Sequence, residues 1–183
     1  YLSLDKITLF GVSMGGALAS NYAANNPAKV KALILNVPFV GSQTIGLANF
    51  TFIPVLWDFY LRFFIINKLV QRGDGLTEDK QDPQHFIKQF DVIGTQNAFS
   101  SLMKNFIKHD FYNDYQLIND NKIPLHITYA TDDEDVPIDS ILKAIELVPN
   151  AKTFSFKGGH NIINSRTKEI VSLINDFKES LNN

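Results

Sequence analysis

Close to its start the chain reads Phe10-Gly11-Val12-Ser13-Met14-Gly15-Gly16, and this stretch limits the fold more than any other. An apolar run, Ile7-Thr8-Leu9-Phe10, precedes it and has the character of a buried strand. An alanine-rich segment from Met14 to Ala24 follows with helical character. Between them lies G-x-S-x-G, with a glycine two residues to either side of Ser13. A serine hydroxyl becomes a nucleophile only when it projects from the backbone toward a base and an open space. A tight strand-to-helix turn achieves this by holding the serine backbone in a strained conformation. The helix must then pass close to the strands, and side chains at positions 11 and 15 are expected to collide. Its first N–H groups, that of Met14 among them, point to where negative charge would develop.

The second strand follows within a few residues. Asn25-Asn26-Pro27 ends the helix, and Val30-Lys31-Ala32-Leu33-Ile34-Leu35-Asn36 is a nearly continuous apolar run, as a parallel strand covered on both faces requires. Strand, helix and strand make a βαβ unit. The sheet resumes at 124–130, passes into the acidic loop Thr131-Asp132-Asp133-Glu134-Asp135, and is closed by Val136-Pro137. A helix over 138–148 and a strand at Thr153-Phe154-Ser155-Phe156 come next, then Lys157-Gly158-Gly159-His160. A final amphipathic helix begins near Ser165 and carries Ile170, Leu173, Ile174, Phe177 and Leu181 on one face.

Residues 41–116 differ in character. Phe50, Phe52, Trp57, Phe59, Tyr60, Phe63 and Phe64 crowd together, and no buried strand is apparent. Helices are expected over 54–72, with Asp58 and Arg62 on one face, and from Thr95 to His109. Those charges, with Lys68, argue against a membrane span. The segment reads as a helical insertion riding on the sheet. The domain organisation is therefore a core formed by 1–40 and 117–183, split by the insertion 41–116.

A serine nucleophile needs a base, and histidine suits neutral pH. Of the four histidines, His126 lies inside a strand and reads as a satisfied core or face residue. His85 and His109 fall among polar residues of the insertion. His160 sits just past a strand on a two-glycine loop, at the sheet edge where ligand crevices form, and is the candidate base. The base in turn needs an acceptor to hold its far nitrogen. Asp132, Asp133 and Asp135 all stand at the same sheet edge.

Ser, Asp and His, in that order and each just after a strand, resemble the α/β-hydrolase superfamily. Gly11-Val12-Ser13-Met14-Gly15-Gly16 is similar to its nucleophile elbow and Gly159-His160 to its histidine loop. Ala130-Thr131-Asp132-Asp133-Glu134-Asp135-Val136-Pro137 resembles the acid loop G-x-x-D-x-x-V-P, with Ala130 in place of the customary glycine. The resemblance selects Asp133 as the acid and makes the insertion a lid. It implies a mostly parallel α/β sheet flanked by helices, of which this chain would hold strands five to eight of eight. The four N-terminal strands, and the loop that gives the second oxyanion donor, would lie upstream. On that expectation the chain by itself is incomplete and poorly active.

The implied function is a serine hydrolase cleaving an ester, thioester or similar acyl bond of a hydrophobic small molecule. Ser13, Asp133 and His160 would be catalytic, and the Met14 N–H would supply half of the oxyanion hole. Carbon–carbon bond hydrolysis, iminopeptidase or perhydrolase chemistry, or a non-catalytic ligand-binding role, are the alternatives within the resemblance. No cofactor or metal is called for. The absence of cysteine excludes disulfides, thiolate metal sites and cysteine nucleophiles. A formal charge of −2 gives no reason to expect nucleic acid as a partner. A lipid interface reached through the aromatic lid is expected, and cytoplasmic placement is favoured.

Overall fold

The computed structural model describes residues 4–40, 59–60, 63, 92–106 and 109–182. The chain divides into two compact units, Tyr1–Gln43 with Asp110–Asn183, and Thr44–His109.

The first unit is a parallel sheet with helices on both faces. Strand β1 (Ile7–Val12) leads into helix α1 (Met14–Asn25), and a 3-10 turn at Pro27–Lys29 delivers strand β2 (Val30–Asn36). Within the second unit, helix α2 spans Thr95–Phe106. The first unit resumes with helix α3 (Phe111–Asp120), strand β3 (Leu125–Ala130), helix α4 (Ile138–Glu146) and strand β4 (Lys152–Phe156). It closes with the short helix α5 (Ile162–Ser165) and with α6 (Thr167–Ser180). The four strands lie in the order β1-β2-β3-β4, and every neighbouring pair is parallel. Each crossover carries its helix back over the sheet, so all four strands present their C-terminal ends along one edge.

Alternation along the strands sorts the two faces. Leu33, Leu35, Leu125 and Ile127 point to one side and form the main core with Ala19 and Ala23 of α1, Tyr115 and Ile118 of α3, and Ile141 and Ala144 of α4. Small residues let α1 lie close to the strands. On the other face, Phe177 of α6 packs on Ala32 and Ile34, and Ile170 joins Ala130, Val37 and Ile162.

Helix α3 differs from what its sequence suggests. Its first residues fall in the segment assigned to the insertion, yet it belongs to the unit that contains the sheet. Asp110 caps it, accepting from the N–H groups of Tyr112 (3.1 Å) and Asn113 (3.4 Å), a device that contributes about 1 kcal/mol. Phe111, Tyr115 and Ile118 are buried at the spacing of one helix face. Asn21 of α1 donates to the buried Asp114 carboxylate at 3.3–3.4 Å, tying α3 to the elbow helix.

Among the described residues β1 pairs only with β2, and Phe10 is 50% exposed. The final helix, α6, begins close to the expected Ser165, and the short helix α5 precedes it, separated at Arg166 where φ is −125°. One further expectation needs correction: His126 is core but not satisfied. It is fully buried, and neither ring nitrogen has a hydrogen-bond partner among the described residues. Its ring lies between those of Phe154 and Phe177, with centroids 5.3 and 5.4 Å away. Burial, and secondarily the charge of Lys152, push its pKa down to about 4, so it is a neutral aromatic at physiological pH.

In the second unit, Phe59 and Tyr60 are helical, and the rings of Phe59 and Phe63 lie 4.6 Å apart. The rest of the helix expected over 54–72, with Trp57, Asp58, Arg62, Phe64 and Lys68, lies outside the described residues, as do Phe50, Phe52 and His85. No helix among the described residues is long and apolar enough to cross a membrane.

Candidate active site

Ser13 is the single residue between β1 and α1, and its backbone carries the turn. Its φ of 51° and ψ of −121° lie in a region that costs a non-glycine residue on the order of 1–3 kcal/mol. The surroundings hold it there. Its N–H donates to the Asn36 carbonyl (3.0 Å), and its own carbonyl accepts from Gly16 (2.9 Å) and Phe39 (2.9 Å). The turn is tight enough that a Cβ at Gly11 would sit 2.5 Å from the Gly15 carbonyl oxygen. A collision was expected at position 15 as well, but a Cβ there meets nothing within 4 Å. The second close approach falls instead at Gly16, against Pro38, because α1 turns its 16 side toward the segment that follows β2. The Met14 N–H, first of the helix, has no acceptor among the described residues, as expected of a helix N-terminus.

The acid and histidine loops meet at the same sheet edge. The Thr131 N–H donates to the Phe156 carbonyl (2.9 Å) and the Asp132 N–H to the Gly158 carbonyl (3.0 Å), which joins the loop after β3 to the loop after β4. Gly158 has φ +147°, a conformation that favours glycine, and it turns the chain so that His160 faces inward. His160 Nε2 then lies 2.7 Å from Ser13 Oγ, and Nδ1 lies 2.8 Å from Asp133 Oδ2. An ionised carboxylate can only accept, so Nδ1 carries the proton and Nε2 is left to accept from the serine hydroxyl.

Asp133 is distinguished from its acidic neighbours by its other oxygen. Oδ1 accepts from the N–H groups of Asp135 (2.8 Å) and Val136 (2.9 Å), which leaves Oδ2 aimed at the imidazole. Burial raises the Asp133 pKa. The hydrogen bonds from His160 and Val136, the charge on His160 and the bond from Asp135 together outweigh this and hold the carboxyl below its usual 3.8. Asp132 and Asp135 are exposed. Asp133, Asp135 and His160 do present donor atoms within 4.8 Å of one another. A cation there would have to displace the proton that Nδ1 shares with Asp133.

Ser13, His160 and Asp133, picked out from sequence, therefore form one chain of two hydrogen bonds, with the Met14 N–H beside the serine. A model of the alpha/beta hydrolase fold family matches residues 1–165. The chain belongs to that family.

Solved structures agree on the fold. A carboxylesterase of the thaumarchaeon Nitrososphaera gargenis superposes with a TM-score of 0.69 at 18% identity over 98% of this chain. The enol-lactonase of Burkholderia xenovorans gives 0.70 at 16% identity over 96%. A meta-cleavage product hydrolase of Pseudomonas fluorescens gives 0.68 at 21% identity over 97%. In each case this hydrolase-fold chain spans 66% of the other chain's length. No curated protein sequence matches it.

Proposed function

We propose that this chain carries the nucleophile, base and acid of a serine hydrolase that cleaves a carboxylic ester, thioester or similarly activated acyl bond. The observation that supports this most is the unbroken relay from Ser13 Oγ through His160 to the buried Asp133 carboxylate. As the Ser13 oxygen attacks the substrate carbonyl, its proton passes to His160 Nε2. The resulting imidazolium is stabilised by Asp133. The carbonyl oxygen becomes an oxyanion, for which the Met14 N–H is the available donor on this chain. The tetrahedral intermediate collapses when His160 returns the proton to the leaving group. Water then repeats the sequence on the acyl-enzyme, and the acid is released with Ser13 restored.

The aromatic residues of 41–116 support a hydrophobic acyl or alcohol group as the substrate, with that segment as the lid and a lipid surface as a further partner. Hydrolysis of p-nitrophenyl esters of increasing acyl length by the protein that carries this chain tests both parts. The expected result is a rate that rises with chain length before it falls. A preference for acetate over all longer esters would leave the aromatic residues as core. No turnover of any of them, with no adduct on Ser13 from an alkyl fluorophosphonate, would favour the non-catalytic reading.

The acid has its own test. Asp133→Asn leaves a group that cannot stabilise the imidazolium and favours the wrong tautomer, so a loss of about 10³–10⁴ in kcat is expected. Asp132→Asn and Asp135→Asn should each cost less than about tenfold, since the His160 Nδ1 proton is already taken by Asp133. Equal small losses from all three would move the orienting role elsewhere.

A further inference from the structure

At the C-terminal end of β2 lies a buried polar pair that the relay does not use. Asn36 and Thr128 are both buried and stand opposite each other in the β2–β3 register. Asn36 Nδ2 donates to Thr128 Oγ1 at 2.5 Å, and the threonine hydroxyl lies 3.4 Å from the Leu35 carbonyl it donates to. Asn36 Oδ1 has no donor among the described residues. An unsatisfied buried acceptor is destabilising, so packing alone gives no reason for an amide here.

The backbone around Asn36 gives one. Both peptide groups of Ser13 hang from this segment: its N–H from the Asn36 carbonyl, its carbonyl from the Phe39 N–H. Between those two points Val37 is held at φ +40°, and its N–H donates to the Thr128 carbonyl at 2.8 Å. The strap 36–39 is thus fastened to β3 at Thr128 by one main-chain bond and one side-chain bond. β3 is the strand that runs on to Asp133.

We infer that Asn36 is a positioning residue, whose side-chain bond to Thr128 fixes the strap that holds Ser13 relative to the strand that delivers the acid. This rests on Ser13 being the nucleophile. Loss of the bond lets the end of β2 shift against β3, and a shift of this kind moves Ser13 Oγ away from His160 Nε2. Misplacement by about 1 Å costs on the order of 10²-fold in rate.

The test separates position from stability. Thr128→Val alone strands the Asn36 amide and is expected to lower the melting temperature. Asn36→Leu combined with Thr128→Val replaces both partners by apolar groups of similar shape, which is close to neutral for stability, but the fastening is still missing. The double variant should therefore melt near the parent. Its Ser13 should react with an alkyl fluorophosphonate about tenfold to a hundredfold more slowly. The Ser13 amide should exchange its hydrogen faster, with α4 amides unchanged. Thr128→Ser alone, which keeps Asn36 and the hydroxyl it donates to, should retain the parental labelling rate and Ser13 exchange. A stable double variant with parental labelling rate and parental Ser13 exchange would overturn the inference. If the parent itself is not labelled, the nucleophile reading fails, and Ser13 amide exchange still decides whether Asn36 holds the turn.

Discussion

Ser13→Ala and His160→Ala are each expected to remove nearly all turnover of an activated ester, on the order of 10⁴–10⁶ in kcat, with the double variant scarcely below either single one. The reason lies in the geometry. The 2.7 Å contact between Ser13 Oγ and His160 Nε2 makes each useless without the other: an imidazole with no hydroxyl to deprotonate, or a hydroxyl with no base. Binding should survive, so KM should move far less than kcat. Steady-state kinetics on the three variants, with a fluorophosphonate adduct mapped by mass spectrometry, are the measurement. Near-normal turnover by Ser13→Ala, or multiplicative losses in the double variant, would show that the residues do not act as one unit.

The parts of this site that could be read from sequence are those where local rules and packing agree. Residues 30–36 are apolar apart from the exposed Lys31 and the terminal Asn36 because β2 lies inside the sheet with a strand on each side, and the strand runs from Val30 to Asn36 as the pattern predicts. Gly11 announces the turn because the turn leaves no room for a Cβ. His160 stands out because two glycines precede it and one of them, Gly158, adopts a positive φ.

What could not be read depends on partners distant in sequence. Periodicity places Asp132, Asp133 and Asp135 equally, and resemblance to a family pattern singled out Asp133. The structural distinction is that Asp133 Oδ1 is engaged by two N–H groups of its own loop, which no spacing rule encodes. Helix α3 is hard to read from sequence because Asp114 interrupts its buried face and its start falls directly after the aromatic segment. The Asn36–Thr128 pair gave no signal either, since one asparagine and one threonine at strand ends are commonplace until the register sets them opposite each other.

His126 supplies the last expectation, and it concerns stability. Strand alternation puts it on the α6 face, where Ile34 flanks it from β2, Phe177 from α6 and Phe154 from β4. The charged group whose field it feels is Lys152, its register partner on β4. No acceptor for an imidazolium proton exists there among the described residues. Folding therefore depresses its pKa from the ordinary 6.5 to about 4, while the unfolded chain keeps the ordinary value. The unfolded state binds the proton first as pH falls, so this contribution to stability is complete above about 6.5 and lost progressively down to about 4. Its size is on the order of 3 kcal/mol. Asp133, whose folded pKa lies below 3.8, has the same sign but loses its contribution at lower pH, so the two windows separate. His126→Phe keeps an aromatic ring between Phe154 and Phe177 and removes two buried nitrogens without partners. The variant should be at least as stable as the parent at pH 7, and the stability difference in its favour should widen as the pH is lowered from 6.5 to 4. Urea unfolding of both proteins at intervals across that range measures it. A difference that stays constant with pH would mean that the ring gains its proton without leaving the core.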